Sequence, residues 1–248
     1  MLKSILCLSL TALLLTSCAH KNITDTPIAA IITEEAETQE INYIDRIIFL
    51  GESTTYHLKS RGVLSNGKNT TQVWAPKSGT LMLDPTVCEC RIVYPETKEE
   101  LSLEESLKRK QPEIMLLTFG LNGATGFISR KEAYFKFCYQ KLINLIKRTS
   151  PNTRIIINSC YPVAKNMDMS NYTVDAKTLN SYIDTINLWA KSLATENGLL
   201  FTDSTTVLKD INGYLSPSFQ AEDGYHLNTE AYKAILKYLN SELTKHLK

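Results

Sequence analysis

The run Ile47-Ile48-Phe49-Leu50 is continuously apolar and ends abruptly at Gly51-Glu52-Ser53. Runs of this kind are typical of strands that are buried on both faces of a parallel sheet. Later runs of the same form occur at residues 114–119, 155–158 and 199–202. The first run therefore predicts a strand of a parallel sheet, with Ser53 just beyond its carboxyl end.

Helical patterns alternate with these strands. Helices are predicted at residues 103–110, 131–148, 176–196 and about 229–246. Residues 62–79 fit no regular element well and predict a long loop with a short strand near 72–74. Strands that alternate with helices predict an α/β domain, a three-layer α/β/α sandwich around a central, mostly parallel sheet. We assign residues 43–248 to this single domain.

The amino-terminal residues predict export. Residues 1–17 combine Lys3 with a short apolar run, which is shorter than a transmembrane helix requires. The string Leu15-Thr16-Ser17-Cys18 resembles a bacterial lipobox, in which the cysteine is lipidated and becomes the new amino terminus. We therefore expect a cell-envelope protein anchored to the membrane by lipid on Cys18, with polar residues 18–42 as a flexible tether. The alternative is an ordinary signal peptide in which Cys18 is incidental.

Charge and cysteine content exclude some partners. The net charge is +1 and no long basic run occurs, which argues against nucleic acid as a partner. An even number of remaining cysteines permits disulfides in an exported protein. A strand at Cys88-Glu89-Cys90 would point both thiols to one face, where a bridge is strained. We expect Cys138 and Cys160 in the core, predict no particular bridge, and see no histidine at metal-ligand spacing from these cysteines.

Polar residues follow two of the predicted strands. In open parallel sheets, ligands bind beyond the carboxyl ends of the strands. Gly51-Glu52-Ser53 brings a hydroxyl to that edge, and Gly120-Leu121-Asn122 brings a side-chain amide that can donate to an oxyanion. Each signal is weak alone, because Ser53 could be a helix N-cap and Asn122 an ordinary turn residue.

An acidic residue and a histidine precede the last predicted helix, in Asp223-Gly224-Tyr225-His226. An aspartate three residues before a histidine on a tight turn can reach Nδ1, which leaves Nε2 free to take a proton from serine. His57 has no acidic partner at such short spacing. The alternative is a turn aspartate followed by a residue that begins the helix.

The order of these motifs resembles the SGNH, or GDSL-like, hydrolase family in a bacterial lipoprotein form. The resemblance covers about residues 47–239. It implies a flavodoxin-like sandwich in which Ser53 is the nucleophile and Asp223 and His226 complete the triad.

The same resemblance implies an oxyanion hole formed by the backbone N–H of Ser53, a glycine N–H and the side-chain amide of Asn122. Gly79 is the expected glycine, and Gly62 and Gly67 are weaker candidates. The chain departs from the family pattern in two places, since GES replaces GDS and GLNG replaces GxND. Neither change removes a triad or oxyanion group.

The resemblance implies a serine esterase that needs neither a metal nor an organic cofactor. We predict that it hydrolyses a small-molecule or glycan ester, with an O-acetyl ester on a carbohydrate or cell-envelope substrate as the first choice. Two alternatives remain open: an envelope O-acyltransferase on the same scaffold, and a non-catalytic envelope binding protein. Trp74 and Tyr225 flank the predicted site and could stack on a sugar ring or be ordinary core and rim aromatics.

Overall fold

The computed structural model describes residues 42–170 and 172–247. The predicted signal at residues 1–17, the lipidation site Cys18 and the tether, apart from Asn42, lie outside the described residues. The Asn42 side chain caps a short 3-10 helix, Tyr43–Arg46, that leads into the first strand. Within the described ranges, no helix combines the length and apolar character that a membrane crossing requires.

A five-stranded parallel sheet forms the centre of the domain. The strands of the described chain are β1 (Ile47–Gly51), β2 (Val73–Trp74), β3 (Arg91–Val93), β4 (Glu100–Ser102), β5 (Ile114–Thr118), β6 (Arg154–Asn158) and β7 (Leu200–Thr202). The sheet order is β2-β1-β5-β6-β7, and β3 and β4 form a separate antiparallel pair. The pairing of Gly51 with Thr118 brings the carboxyl ends of β1 and β5 side by side.

Helices cover both faces of this sheet. They are α1 (Ser53–Ser60), α2 (Leu103–Lys110), α3 (Ala124–Thr149), α4 (Ala176–Glu196) and α5 (Thr229–His246). Successive side chains of a strand point to opposite faces. Thus Ile48 and Leu50 pack in one core cluster with residues of α2, α3 and α4, whereas Ile47 and Phe49 pack in a second with residues of α1 and α5. The predicted three-layer α/β/α sandwich is confirmed.

One helix boundary differs from its prediction. Helix α3 begins at Ala124 rather than at residue 131. Lys131 interrupts it with a left-handed backbone, at φ 73° and ψ 170°. This break rotates the residues before Lys131 relative to those after it. Apolar residues therefore recur at regular helical spacing only after Lys131.

Cys88-Glu89-Cys90 does not form the strand on which both thiols would share one face. Residues Val87–Glu89 form a 3-10 helix, and β3 begins only at Arg91. The turn is favoured because Asp84 Oδ1 accepts the Thr86 N–H at 2.7 Å. Cys138 and Cys160 are buried, as expected, and all four described cysteines are free thiols.

Candidate active site

The first strand delivers Ser53 to the carboxyl edge of the sheet. Ser53 is the first residue of α1, so its backbone N–H has no partner within the helix. A Cβ on Gly51 would lie 2.3 Å from Thr55 Oγ1 and 2.4 Å from the Thr118 carbonyl oxygen. Only glycine lets this turn approach β5 so closely.

Ser53, His226 and Asp223 form one hydrogen-bonded chain. Ser53 Oγ lies 3.1 Å from His226 Nε2, and His226 Nδ1 lies 2.6 Å from Asp223 Oδ2. Asp223 Oδ1 also accepts the backbone N–H groups of Tyr225 at 3.0 Å and His226 at 2.8 Å. The turn therefore presents one ring nitrogen to a carboxylate and the other to a hydroxyl. In this arrangement an imidazole can remove a proton from serine.

The Asp223 carboxylate is held in its ionised form. Partial burial by itself would raise the pKa of Asp223. Hydrogen bonds from the His226 ring and from the backbone N–H groups of His226 and Tyr225 outweigh that effect and keep the pKa below its ordinary value. A charged carboxylate at Nδ1 stabilises the imidazolium that forms when His226 accepts a proton.

Two aromatic rings pack against the imidazole of His226. The His57 ring, one helical turn after Ser53, has its centroid 4.4 Å away at an interplanar angle of 43°. The Tyr225 ring meets His226 edge to face at 5.0 Å. Burial, together with the charges of His226 and Arg61, lowers the pKa of His57 to about 4. A neutral ring therefore lies against His226 at neutral pH.

Glu52 joins the two strand ends. It is 1% exposed, and its Oε1 accepts the Gly120 N–H at 2.9 Å. Its Oε2 accepts the N–H groups of Leu121 and Asn122, each at 3.1 Å. Burial raises the pKa of Glu52 to about 7, although the three backbone hydrogen bonds act in the opposite direction. Glu52 thus fixes the loop that carries Asn122 relative to the turn that carries Ser53.

The amide of Asn122 is held at both ends. The Tyr225 hydroxyl donates to Asn122 Oδ1 at 2.6 Å, and Asn122 Nδ2 donates to Thr80 Oγ1 at 3.0 Å. Burial raises the pKa of Tyr225 far above its usual range, so its hydroxyl stays a donor. One proton of Nδ2 bonds Thr80, and the other remains available to an oxyanion.

Gly79 does not offer the N–H that the sequence predicts. Its N–H donates to the Pro76 carbonyl at 2.9 Å, within a turn that Gly79 enters at φ +77°. The next residue is better arranged, because the Thr80 backbone N–H has no acceptor among the described residues. Thr80 also contacts the Asn122 amide directly. The available backbone donor is therefore one residue later in the chain. Gly62 and Gly67 lie instead in the turn after α1.

Of the two alternatives for Trp74, a sugar-stacking ring and an ordinary core aromatic, the structure supports the core aromatic. Trp74 is 0% exposed and belongs to the core cluster on the α3 face of the sheet. Its position on the two-residue strand β2 buries the ring rather than displaying it. Tyr225 does lie at the site, but its hydroxyl is committed to Asn122.

The sequence did not indicate that His57 packs against His226 or that Thr80 contacts the Asn122 amide. His57 lies four residues after Ser53, a spacing that puts both side chains on one helix face, so its position was legible once the helix was assigned. Thr80 carried no such signal, because residues 75–86 form an irregular loop. No group of three or more histidine, cysteine or acidic side chains in the described ranges is arranged to hold a metal ion.

Known proteins share this fold. A GDSL-like lipase from Bacteroides thetaiotaomicron is 14% identical, with a TM-score of 0.51 over 84% of this chain and 92% of that one. The periplasmic domain of a lipopolysaccharide acetyltransferase from Salmonella serovar Paratyphi A is 16% identical, with a TM-score of 0.53 over 80% and 83%. A family 3 carbohydrate esterase from Talaromyces cellulolyticus is 12% identical, with a TM-score of 0.50 over 81% and 96%.

Sequence comparison gives the family. No curated protein has significant sequence similarity to this chain. Residues 49–234 match the family model described as GDSL-like Lipase/Acylhydrolase, which is well over half of the 248-residue chain. The matched region includes the Ser53 turn, the Asn122 loop and the Asp223–His226 turn. The chain therefore belongs to the GDSL-like lipase/acylhydrolase family of ester-hydrolysing serine hydrolases.

Proposed function

We propose that the protein hydrolyses O-acetyl esters on a carbohydrate or cell-envelope substrate, with Ser53 as nucleophile and His226 and Asp223 completing the triad. The observation that carries this proposal is the hydrogen-bonded chain from Ser53 Oγ through the His226 ring to Asp223 Oδ2, with contacts of 3.1 and 2.6 Å. It lies at the carboxyl edge of a parallel sheet, where such folds bind ligands.

The proposed reaction has two stages. His226 Nε2 takes the Ser53 proton as the serine oxygen attacks the ester carbonyl, and it returns that proton to the departing alcohol. Water then attacks the acyl-serine while His226 again acts as the base. Asp223 keeps Nδ1 protonated and stabilises the positive ring.

Three donors are available for the oxyanion in this proposal. They are the backbone N–H of Ser53, the free proton of Asn122 Nδ2 and the backbone N–H of Thr80, which replaces the predicted N–H of Gly79. Loss of one such donor typically costs about 3 kcal/mol of transition-state stabilisation. Because Glu52 and Tyr225 fix Asn122 before substrate arrives, little reorganisation is needed.

The choice of an acetylated carbohydrate has two supports. The family hydrolyses esters, and the proteins of similar fold include a carbohydrate esterase and a lipopolysaccharide acetyltransferase. The acetyltransferase also keeps an O-acyltransferase as the second candidate function. In a hydrolase water attacks the acyl-enzyme, whereas in an O-acyltransferase a sugar hydroxyl attacks it. A non-catalytic binding role is the remaining alternative.

An acetate-release assay separates these functions. Residues 42–248, purified as a soluble protein, are incubated with acetylated xylan and with O-acetylated peptidoglycan, with Ser53→Ala as the matched control. Free acetate that depends on Ser53 supports hydrolysis. An acetyl group that is found on an added sugar acceptor, without release of free acetate, supports transfer. Equal acetate release by both proteins contradicts the esterase proposal.

We propose further that the full chain is exported and anchored by lipid on Cys18. The support is the string Leu15-Thr16-Ser17-Cys18 after the short apolar run. In a bacterial host fed an alkyne fatty acid, the full chain should be labelled and remain with membranes, and Cys18→Ser should be unlabelled. Equal labelling of the two proteins, or none in either, contradicts the anchor.

A further inference from the structure

Tyr232 makes a buried hydrogen bond to the helix that carries Ser53. Its hydroxyl donates to the backbone carbonyl oxygen of Thr54 at 2.7 Å. Tyr232 is 0% exposed, and Thr54, the second residue of α1, is 2% exposed. Burial raises the pKa of Tyr232 well above its usual range, so the hydroxyl remains a donor. The bond therefore joins α5 to the first turn of α1, out of contact with water.

Tyr232 is also tied closely to the proposed base. It lies in the first turn of α5, whose amino end is capped by the side chain of Asn228. His226 comes two residues before that cap, and its backbone carbonyl accepts the Ala221 N–H at 2.9 Å. Leu227, between His226 and the cap, is 0% exposed. Tyr232 and His226 therefore belong to one short, well-anchored segment.

The bond matters because the two helices are far apart in the sequence. Ser53 and His226 are separated by 173 residues, so their 3.1 Å contact depends on how α1 and the amino end of α5 are placed. Among the described residues, only the bond from Tyr232 and the Ser53–His226 contact itself connect α1 to residues 220–246 by hydrogen bonding. Leu58 and Tyr232 share an apolar cluster, but hydrophobic burial is not directional.

We propose that Tyr232 is a positioning residue, whose hydroxyl holds the Thr54 carbonyl and thereby sets the distance between Ser53 Oγ and His226 Nε2. This inference rests on the proposed function, because it assigns Tyr232 a part in the proton transfer from Ser53 to His226. The hydroxyl is not needed for packing, since phenylalanine would fill nearly the same volume. Proton transfer requires hydrogen-bond reach, and a displacement of about 1 Å can cost a hundredfold in rate.

Tyr232→Phe removes this hydrogen bond and keeps the ring. With p-nitrophenyl acetate we expect kcat to fall about tenfold and KM to stay unchanged, because the buried hydroxyl touches no substrate. Tyr43→Phe is the matched control, since the Tyr43 hydroxyl donates to the Leu247 carbonyl at 3.2 Å, at the other end of α5. Both variants are assayed at a temperature at which circular dichroism shows them folded. Their melting temperatures should fall by similar amounts, but only Tyr232→Phe should lose kcat.

Reaction with a fluorophosphonate separates the positioning role from the choice of substrate. This reagent requires an activated Ser53 but no particular acyl group, so the rate of labelling should also fall about tenfold in Tyr232→Phe. If labelling depends on Tyr232 while the wild type hydrolyses no acetyl ester, the proposed substrate is contradicted and the positioning role stands. Unchanged kcat and labelling in Tyr232→Phe, an effect on KM alone, or an equal loss of kcat in Tyr43→Phe would overturn the inference.

Discussion

The hydroxyl of Tyr225 donates a 2.6 Å hydrogen bond to Oδ1 of Asn122. This contact joins the turn that carries Asp223 and His226 to the loop that follows β5. It also fixes the orientation of the amide, because Oδ1 must face the hydroxyl and Nδ2 is left to donate. Tyr225 thereby positions a proposed oxyanion donor without touching the reacting carbonyl.

Removing that hydroxyl should slow the chemical step. We expect Tyr225→Phe to lower kcat for p-nitrophenyl acetate about tenfold with little change in KM, because a net hydrogen bond that holds a transition-state donor is lost. Steady-state kinetics measures both constants. Tyr182→Phe, on α4 away from the site, is the matched control. A rise in KM at unchanged kcat would assign Tyr225 to substrate binding instead.

For catalysis, the packing of the His57 ring against His226 should matter more than the protonation state of His57. His57→Ala removes the ring, so we expect kcat to fall about three- to tenfold as His226 becomes less ordered. His57→Phe retains a ring and replaces a buried, unpartnered Nδ1, so its kcat and melting temperature should stay near those of the wild type. Kinetics and thermal unfolding check both variants. Similar losses of kcat in the two would contradict a packing role.

Glu52 should make folding stability depend on pH. Because burial raises its pKa in the folded protein to about 7, the unfolded chain releases the proton at lower pH than the folded one. The contribution of Glu52 to stability is therefore fully present below the unfolded pKa, and it declines as pH rises from about 4.5 toward 7.

Glu52→Gln cannot titrate, so it isolates this effect. The melting temperature of the wild type minus that of Glu52→Gln should decrease between about pH 5 and pH 7.5. Thermal unfolding at several pH values measures the difference, in which titrations common to both proteins cancel. A difference that is constant or that grows with pH would show that Glu52 is not the group responsible.

Asp223→Asn should preserve the fold and remove most of the activity. An amide at this position cannot stabilise the imidazolium, and it can donate to Nδ1, which favours the wrong ring tautomer. We expect kcat/KM for p-nitrophenyl acetate to fall about a hundred- to ten-thousandfold. Circular dichroism controls for folding. A fall of less than tenfold would mean that the contact with His226 Nδ1 does little for the reaction.

Short-range patterns predicted most of the fold and only part of the site. Buried parallel strands are continuous apolar runs, so β1 and β5 could be predicted, and Ser53 and Asn122 followed from the rule that ligands bind at strand ends. His226 followed from its three-residue spacing to Asp223. Contacts between residues that lie far apart in the sequence could not be predicted from it. The bond from Tyr225 to Asn122 spans 103 residues and depends on how two loops meet. The burial of Trp74 depends on which helices cover β2.

The error at Gly79 has a similar cause. The family pattern indicates which glycine to expect, but the direction of a single N–H depends on the turn around it. Here the Pro76 carbonyl takes the Gly79 N–H and leaves that of Thr80 free. A sequence pattern carries no information about such local competition for a donor.

Covalent labelling of Ser53 tests the central proposal most directly. The protein is treated with a fluorophosphonate, digested with trypsin, and the peptide that contains residues 47–59 is sequenced by mass spectrometry. We expect one adduct, on Ser53 rather than on Thr54, Thr55, Tyr56 or His57, and its loss in both Ser53→Ala and His226→Ala. An adduct on another residue, or undiminished labelling in Ser53→Ala, would contradict Ser53 as the nucleophile.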